Sequence, residues 1–173
     1  MAEAALGLGS NLGDRPANLT AALRALDATD GIRLLRCSQV YATAPWGDPD
    51  QPDFLNAAAL VETSLSPEDL LRACKTIEAA LGRTSTRRWG PREIDIDLLY
   101  LEGVEMESTS LSLPHKSLFE RLFVLVPLHD LVGDAPVAGR DLGVAIAALS
   151  GPGGDEPVRL DAEATRRLRD ALA

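Results

Sequence analysis

Hydrophobic positions along the chain alternate between a strand-like and a helical period. AALGLG (4–9) reads as a short buried strand that ends in the loop-forming SNLGD. Behind it, Leu19, Leu23 and Leu26 recur at helical spacing, with Asp14 ahead of the segment and Pro16 in its first turn as start signals. IRLLRCSQVYAT (32–43) returns to a strand-like pattern, and FLNAAALVETS (54–64) does so again. Between them APWGDPDQPD holds three prolines and is too long for a tight hairpin, which makes it a candidate binding loop. SPEDLLRACKTIEAALG (66–82) predicts a well-signalled helix. Ser66 caps it, Pro67 opens it, Asp69 closes the cap, Leu70, Cys74, Ile77 and Leu81 form one stripe, and Gly82 ends it.

From Ile94 to Leu101 the apolar residues are dense enough to predict a strand covered on both faces. LSLPHKSLFERLFVLVPL (111–128) is apolar and irregular, and LGVAIAALSG (142–151) reads as a short helix. GPGGDEP (151–157) reads as a linker, and DAEATRRLRDALA (161–173) as a terminal helix whose docking the pattern leaves open. Strand, helix, strand, strand, helix, strand is the βαββαβ order of a ferredoxin-like sandwich. That is an α+β fold with helices on one side of an antiparallel sheet, here with C-terminal additions. Residues 1–150 are expected to form one domain, with 151–173 appended as linker and helix.

Composition narrows the function. A chain of 173 residues with 46% hydrophobic and 25% charged residues is long enough for one core without staples. No apolar run approaches the roughly 18 residues of a membrane helix. The opening residues lack a basic segment followed by an apolar stretch, so no secretory signal is predicted, and a cytoplasmic monomer is expected. A net charge of −9 argues against nucleic acid as a partner, because that affinity comes largely from neutralising phosphates. Cys37 and Cys74 stand apart with no metal-site spacing and read as buried, reduced thiols.

The predicted strand DIDLLYL carries Asp95 and Asp97, which project to the same face with Cα atoms about 6.5 Å apart. Two like charges that close need a positive partner. One candidate is the preceding loop with Arg83, Arg87, Arg88 and Arg92; the other is a hard cation such as Mg²⁺, which accepts paired carboxylates and keeps phosphates or waters as further ligands. A phosphate between metal and guanidinium uses both. Structural ion pairs are the competing reading. GLGSNLG (7–13) fails the dinucleotide fingerprint because Leu12 stands where its third glycine belongs; glycines ending a strand in a turn close to a ligand or another backbone are the favoured reading. His115 counts only if the fold brings it to the phosphates, and His129 has nothing comparable around it. Trp46 and Trp89 lie in loops, as lids over a planar ligand would, and Phe54 and Phe123 suit either core packing or stacking.

Taken together, the chain resembles the 6-hydroxymethyl-7,8-dihydropterin pyrophosphokinases of folate biosynthesis. The resemblance rests on GLGSNLGD, YATAPWGDPDQPDFLNAA, RRWGPREIDIDLLYL and LSLPHKSLFERLFVLVPL, in the family's order over roughly residues 4 to 130. It implies a ferredoxin-like fold and transfer of the β,γ-diphosphate of ATP to the hydroxymethyl group of 6-hydroxymethyl-7,8-dihydropterin, releasing AMP. It implies two Mg²⁺ ions on Asp95 and Asp97. Thr43, Pro45 and Asn56 would line the pterin pocket, with the ring stacked between Phe54 and Phe123 and Trp89 nearby. The ATP site would comprise Glu78, Arg83, Arg88, Arg92, Ile96, Leu98, Ser112, His115 and Arg121, and Arg88 and Trp89 would sit on a loop that closes over ATP. The catalytic roles fall to Arg83, Arg92, Asp97, His115, Arg121 and Trp89. The chain departs from the family pattern with Phe54 for tyrosine, Thr84, Ser85, Thr86 and Ser110 near frequent arginines, and Lys116 for tyrosine, which implies weaker ATP binding with Arg87 in compensation. An RNA-binding module on the same sheet would need a basic, aromatic surface, which this composition lacks. A non-catalytic nucleotide or small-molecule binding domain of the same fold is the alternative, with Asp95 and Asp97 structural.

Overall fold

The computed structural model describes residues 1–45, 48–82 and 93–173. The chain runs through β1 (Ala2–Ser10), α1 (Arg15–Asp27), β2 (Ile32–Cys37), β3 (Tyr41–Thr43), β4 (Phe54–Thr63), α2 (Pro67–Ala80) and β5 (Asp95–Leu101). A small pair, β6 (Met106–Glu107) and β7 (Ser112–Leu113), precedes α3 (Leu122–Val132), α4 (Leu142–Leu149), β8 (Arg159–Leu160) and α5 (Ala162–Leu172). The helix starts are those the sequence signals. Asp14 accepts the Ala17 amide at 3.2 Å, and Ser66 Oγ accepts the Asp69 amide at 3.1 Å.

The main sheet has the order β5-β1-β4-β3-β8, with β2 also paired to β4, and every pairing is antiparallel. This is the ferredoxin-like arrangement, with its second strand supplied in two pieces. The expected continuous strand over 32–43 breaks at Ser38, whose hydroxyl takes over a ladder position. Ser38 N donates to the Ala58 carbonyl at 2.9 Å, and Ala58 N donates to Ser38 Oγ at 2.8 Å. The chain can therefore swing away from β4 without orphaning that amide. The swing presents Val40 to the C-terminal segment: Val40 N donates to Thr165 Oγ1 and its carbonyl accepts from Asp161 N, both at 2.9 Å.

Strand alternation builds two cores. Leu6, Leu8, Val61, Ile96 and Leu98 face α1 and α2, where Leu23, Leu26, Leu70 and Ile77 meet them. Ala5, Ala58, Leu60 and Leu99 face Leu118, Leu125, Leu128 and Leu142. Helices thus cover both faces, α1 and α2 on the expected side and α3 and α4 over part of the other. The region around α3 reads as irregular in sequence because it is apolar nearly all round and carries Pro127 inside the helix, so no 3.6-residue stripe stands out. Helix α5 docks against α1 by burying Ala164 and Leu168. Leu168, 1% exposed, contributes on the order of 2 kcal/mol. Cys74 is buried as expected and Cys37 is only partly so, because its strand ends at the break. Among the described residues no helix is long and apolar enough to cross a membrane.

Candidate active site

Where α3 and α4 leave the second face of the sheet uncovered, the strands carry glycine and polar residues in place of aliphatic ones. The register sets Gly7 opposite Asp97 and Gly9 opposite Asp95, while on its other side Gly9 faces Asn56 of β4. Thr43 pairs with Phe54 two positions further along β4. These residues floor a pocket of about 250 Å³ whose walls include Ala44, Leu99, Arg121, Phe123, Val124 and Glu156.

Gly7 and Gly9 lie within β1 and not at its end, which corrects the expected turn role; that role belongs to Gly13, with φ 71°. A Cβ on Gly9 would stand 3.4 Å from Asn56 Oδ1 and 3.6 Å from Phe54 Cδ1, an ordinary contact that fills the pocket floor. Asn56 is buried, and its Nδ2 donates to Thr43 Oγ1 at 2.9 Å and to the Tyr41 carbonyl at 3.4 Å. Because a carbonyl only accepts, this orients the amide with Oδ1 over Gly9. Asn11, fully buried in the turn after β1, donates from Nδ2 to Gln51 Oε1 at 3.0 Å, and Arg15 reaches the Asp53 carbonyl at 2.8 Å. The SNLG turn thereby ties down the loop bordering the pocket at Ala44, a role the glycine pattern conceals.

Asp95 and Asp97 share one face of β5 and both line the pocket. Asp97 is exposed and has no hydrogen bond or ion pair to a described residue. Among the described residues no group of three or more histidine, cysteine or acidic side chains converges on a metal-sized site. Two hard oxygen donors on one face, one of them unpaired and open to the pocket, fit Mg²⁺ with other oxygens completing its shell.

The family model of 7,8-dihydro-6-hydroxymethylpterin-pyrophosphokinase (HPPK) matches residues 5–133. The chain belongs to the HPPK family. It is 51% identical over 158 residues to the 2-amino-4-hydroxy-6-hydroxymethyldihydropteridine pyrophosphokinase of Methylorubrum extorquens, covering 91% of this chain and 99% of that one. It is 45% identical over 133 residues to the mitochondrial folate synthesis bifunctional protein of Pisum sativum, covering 77% of this chain and 26% of that one. A solved HPPK-DHPS of Plasmodium falciparum superposes with a TM-score of 0.62 at 16% identity over 86% of this chain and 43% of that one, a likeness of fold. The chain thus spans less than half the length of these last two proteins. Its function is that of the HPPK family: transfer of the β,γ-diphosphate of ATP to the hydroxymethyl group of 6-hydroxymethyl-7,8-dihydropterin in folate biosynthesis. The non-catalytic alternative is not favoured.

Within this HPPK fold the remaining predicted residues divide by place. Phe54, Phe123, Thr43, Asn56, Asp95, Asp97 and Arg121 meet at the pocket, and Pro45 is half-buried next to the lining residue Ala44. Arg121 lies 4.8 Å over the Phe123 ring centroid. Ile96 and Leu98 point the other way, into the core, so any contact they make with ATP falls to their backbone. Glu78 is 2% exposed and accepts the Ile96 amide at 2.7 Å, which makes it a support for β5 from beneath. His115 borders the outer edge of β5, its amide donating to the Leu99 carbonyl at 2.7 Å. Its Nδ1 accepts from Ser117 N at 3.1 Å, so Nε2 is the ring nitrogen left to donate. Ser112 lies on β7, Ser110 is exposed beside it, and Lys116 stands 3.4 Å from Glu107. Trp46, and the loop with Arg83, Arg87, Arg88, Trp89 and Arg92, lie outside the described residues. Sequence reasoning missed Asp155 and Glu156, which come from the supposed linker; their one signal is the glycine cluster just ahead of them.

Proposed function

We propose that the pterin ring enters the pocket over Gly7 and Gly9, between Phe54 and Phe123, with its hydroxymethyl group directed at Asp95 and Asp97. Asn56 Oδ1 accepts from the ring's N–H edge, while Thr43 and Pro45 close that end. A glycine floor suits a flat ring because a side chain there would occupy its plane. Asp95 and Asp97 would hold Mg²⁺, two ions by the family resemblance, and the chemistry supplied there would be charge neutralisation on the ATP phosphate oxygens.

Arg121 presents a fixed cation at the pocket wall, and His115 Nε2 a donor at the edge of β5. Arg83, Arg88, Arg92 and Trp89 belong by sequence to the same phosphate site. The hydroxymethyl oxygen attacks the β-phosphorus, and the bond from that phosphorus to the oxygen bridging the α-phosphate breaks. AMP leaves with the electron pair, and the hydroxyl proton passes to water. The chain supplies positioning and charge, which in well-oriented systems account for about 7–11 kcal/mol of barrier from orientation alone. The protein acts on these two small substrates as a cytoplasmic monomer, and the net charge of −9 argues against nucleic acid as a partner.

The observation that carries this reading is the register itself: one glycine, Gly9, separates Asn56 from Asp95. Mixing the protein with ATP, Mg²⁺ and the hydroxymethylpterin tests it. AMP should form only with pterin present and cease with EDTA. Asp97→Asn should stay folded, because the side chain has no described partner, and should form essentially no AMP; near-normal AMP from that variant would overturn the metal assignment.

A further inference from the structure

The segment GPGGDEP (151–157) has the composition of a flexible linker and the geometry of a shaped turn. Gly151 and Gly153 have φ of 97° and 76°, conformations that L side chains rarely adopt. A Cβ on Gly154 would stand 2.0 Å from the Leu149 carbonyl oxygen, so that position admits no side chain without displacing the turn. Gly154 N donates to the Gly151 carbonyl at 3.0 Å and Asp155 N to the Leu149 carbonyl at 2.8 Å, locking the turn onto the end of α4. A tether that only spans a distance needs none of this.

The turn aims Asp155. Its Oδ2 accepts the Leu122 amide at 2.7 Å, at the start of α3, where Arg121 provides no side-chain cap. Both carboxylate oxygens lie 3.2 Å from Arg121 Nε. The pair is largely enclosed, with side chains 19% and 13% exposed, and the guanidinium rests on Phe123. Beyond Asp155 the segment passes Glu156 on the pocket wall and joins the sheet as β8, where Arg159 pairs with Ala42 and bonds Asp53 at 2.6 Å. The strap is therefore anchored on both sides of the pocket.

We infer that Asp155 is the positioning residue of Arg121 in diphosphate transfer: it grips Nε from one side while Phe123 supports the guanidinium face, so the cation is set before substrate arrives. This rests on the reading of Arg121 as part of the phosphate site. A charged partner at Nε holds the guanidinium in that orientation better than a neutral one.

Asp155→Asn separates this role from capping, because asparagine still offers Oδ1 to the Leu122 amide while losing the charge on Arg121. In the full chain, steady-state AMP formation and melting temperature are measured for Asp155→Asn, Arg121→Ala and the double variant. Asp155→Asn should lower kcat by roughly tenfold or more, with KM for the pterin and the melting temperature little changed. In the Arg121→Ala background it should cost nothing further, and Asp155→Glu should recover part of the loss. An unchanged kcat in Asp155→Asn overturns the inference, as does an equal further loss in the double variant. Full activity in Arg121→Ala overturns instead the assignment of Arg121, and the inference with it. Gly154→Ala, which keeps both charged residues but displaces the turn, should reproduce the loss in kcat; a wild-type rate there also counts against the strap.

Discussion

Glu78 Oε1, on α2, accepts the amide of Ile96 at 2.7 Å, and Ile96 stands between Asp95 and Asp97. Among the described residues β5 is an edge strand with β1 as its ladder partner, so its outward amide requires an acceptor from elsewhere. A buried carboxylate supplies it, with Lys75 Nζ 3.4 Å away. The strand that presents the two acids is thereby held straight from outside the sheet. Glu78→Ala should destabilise the protein by about 2–3 kcal/mol, because it leaves a buried N–H unsatisfied. Glu78→Gln retains an acceptor and should cost less. Urea unfolding of the two variants distinguishes this from a surface ion pair, for which both would stay within about 0.5 kcal/mol of wild type.

Gly9 offers a test of the pocket that leaves the fold alone. Its backbone has no positive φ, and an added Cβ meets Asn56 and Phe54 at ordinary contact distance. Gly9→Ala should therefore melt within a few degrees of wild type and bind the pterin at least about tenfold more weakly, since the methyl takes the space of the ring. Titration of pterin with a non-hydrolysable ATP analogue present reads this directly; unchanged affinity would place the ring elsewhere.

Alkaline pH should weaken the fold. Burial pushes the Tyr41 hydroxyl up from 10 to about 12, helped by its bonds to Asp130 at 2.8 and 3.0 Å. Burial likewise pushes the Cys74 thiol from 9 to about 12, with the Glu78 carboxylate adding to it. Between pH 9 and pH 12 the folded chain keeps protons that the unfolded chain releases. The unfolded state binds fewer protons there, so stability falls as pH rises and is fully retained below pH 9. Urea midpoints across this range should decline for the wild type and less steeply for Tyr41→Phe above pH 10. A flat profile would show that neither group is held protonated.

The legible parts of this protein are local. Helix α2 could be drawn from Ser66, Pro67 and its stripe because a cap and a 3.6-residue period act within a few turns. The shared direction of Asp95 and Asp97 follows from strand alternation, and the structure brings both to the pocket. Ser38 was illegible as a strand break because its hydroxyl answers to Ala58, twenty residues away in sequence. The bond between Glu78 and Ile96 across the back of β5 was equally illegible, because it joins residues 18 positions apart on different elements.

By itself, then, the sequence determined the helices with their caps, the strand pattern, the paired acids on one face and the family to which the motifs belong. All of these arise from contacts between near neighbours or from residue type. Tertiary structure alone decided that Gly9 lies between Asn56 and Asp95, that α3 and α4 cover part of the second face, and that a glycine-rich turn carries Asp155 to Arg121 across 34 positions. Such pairings depend on sheet register and loop closure, which join residues distant in sequence and leave no period along the chain.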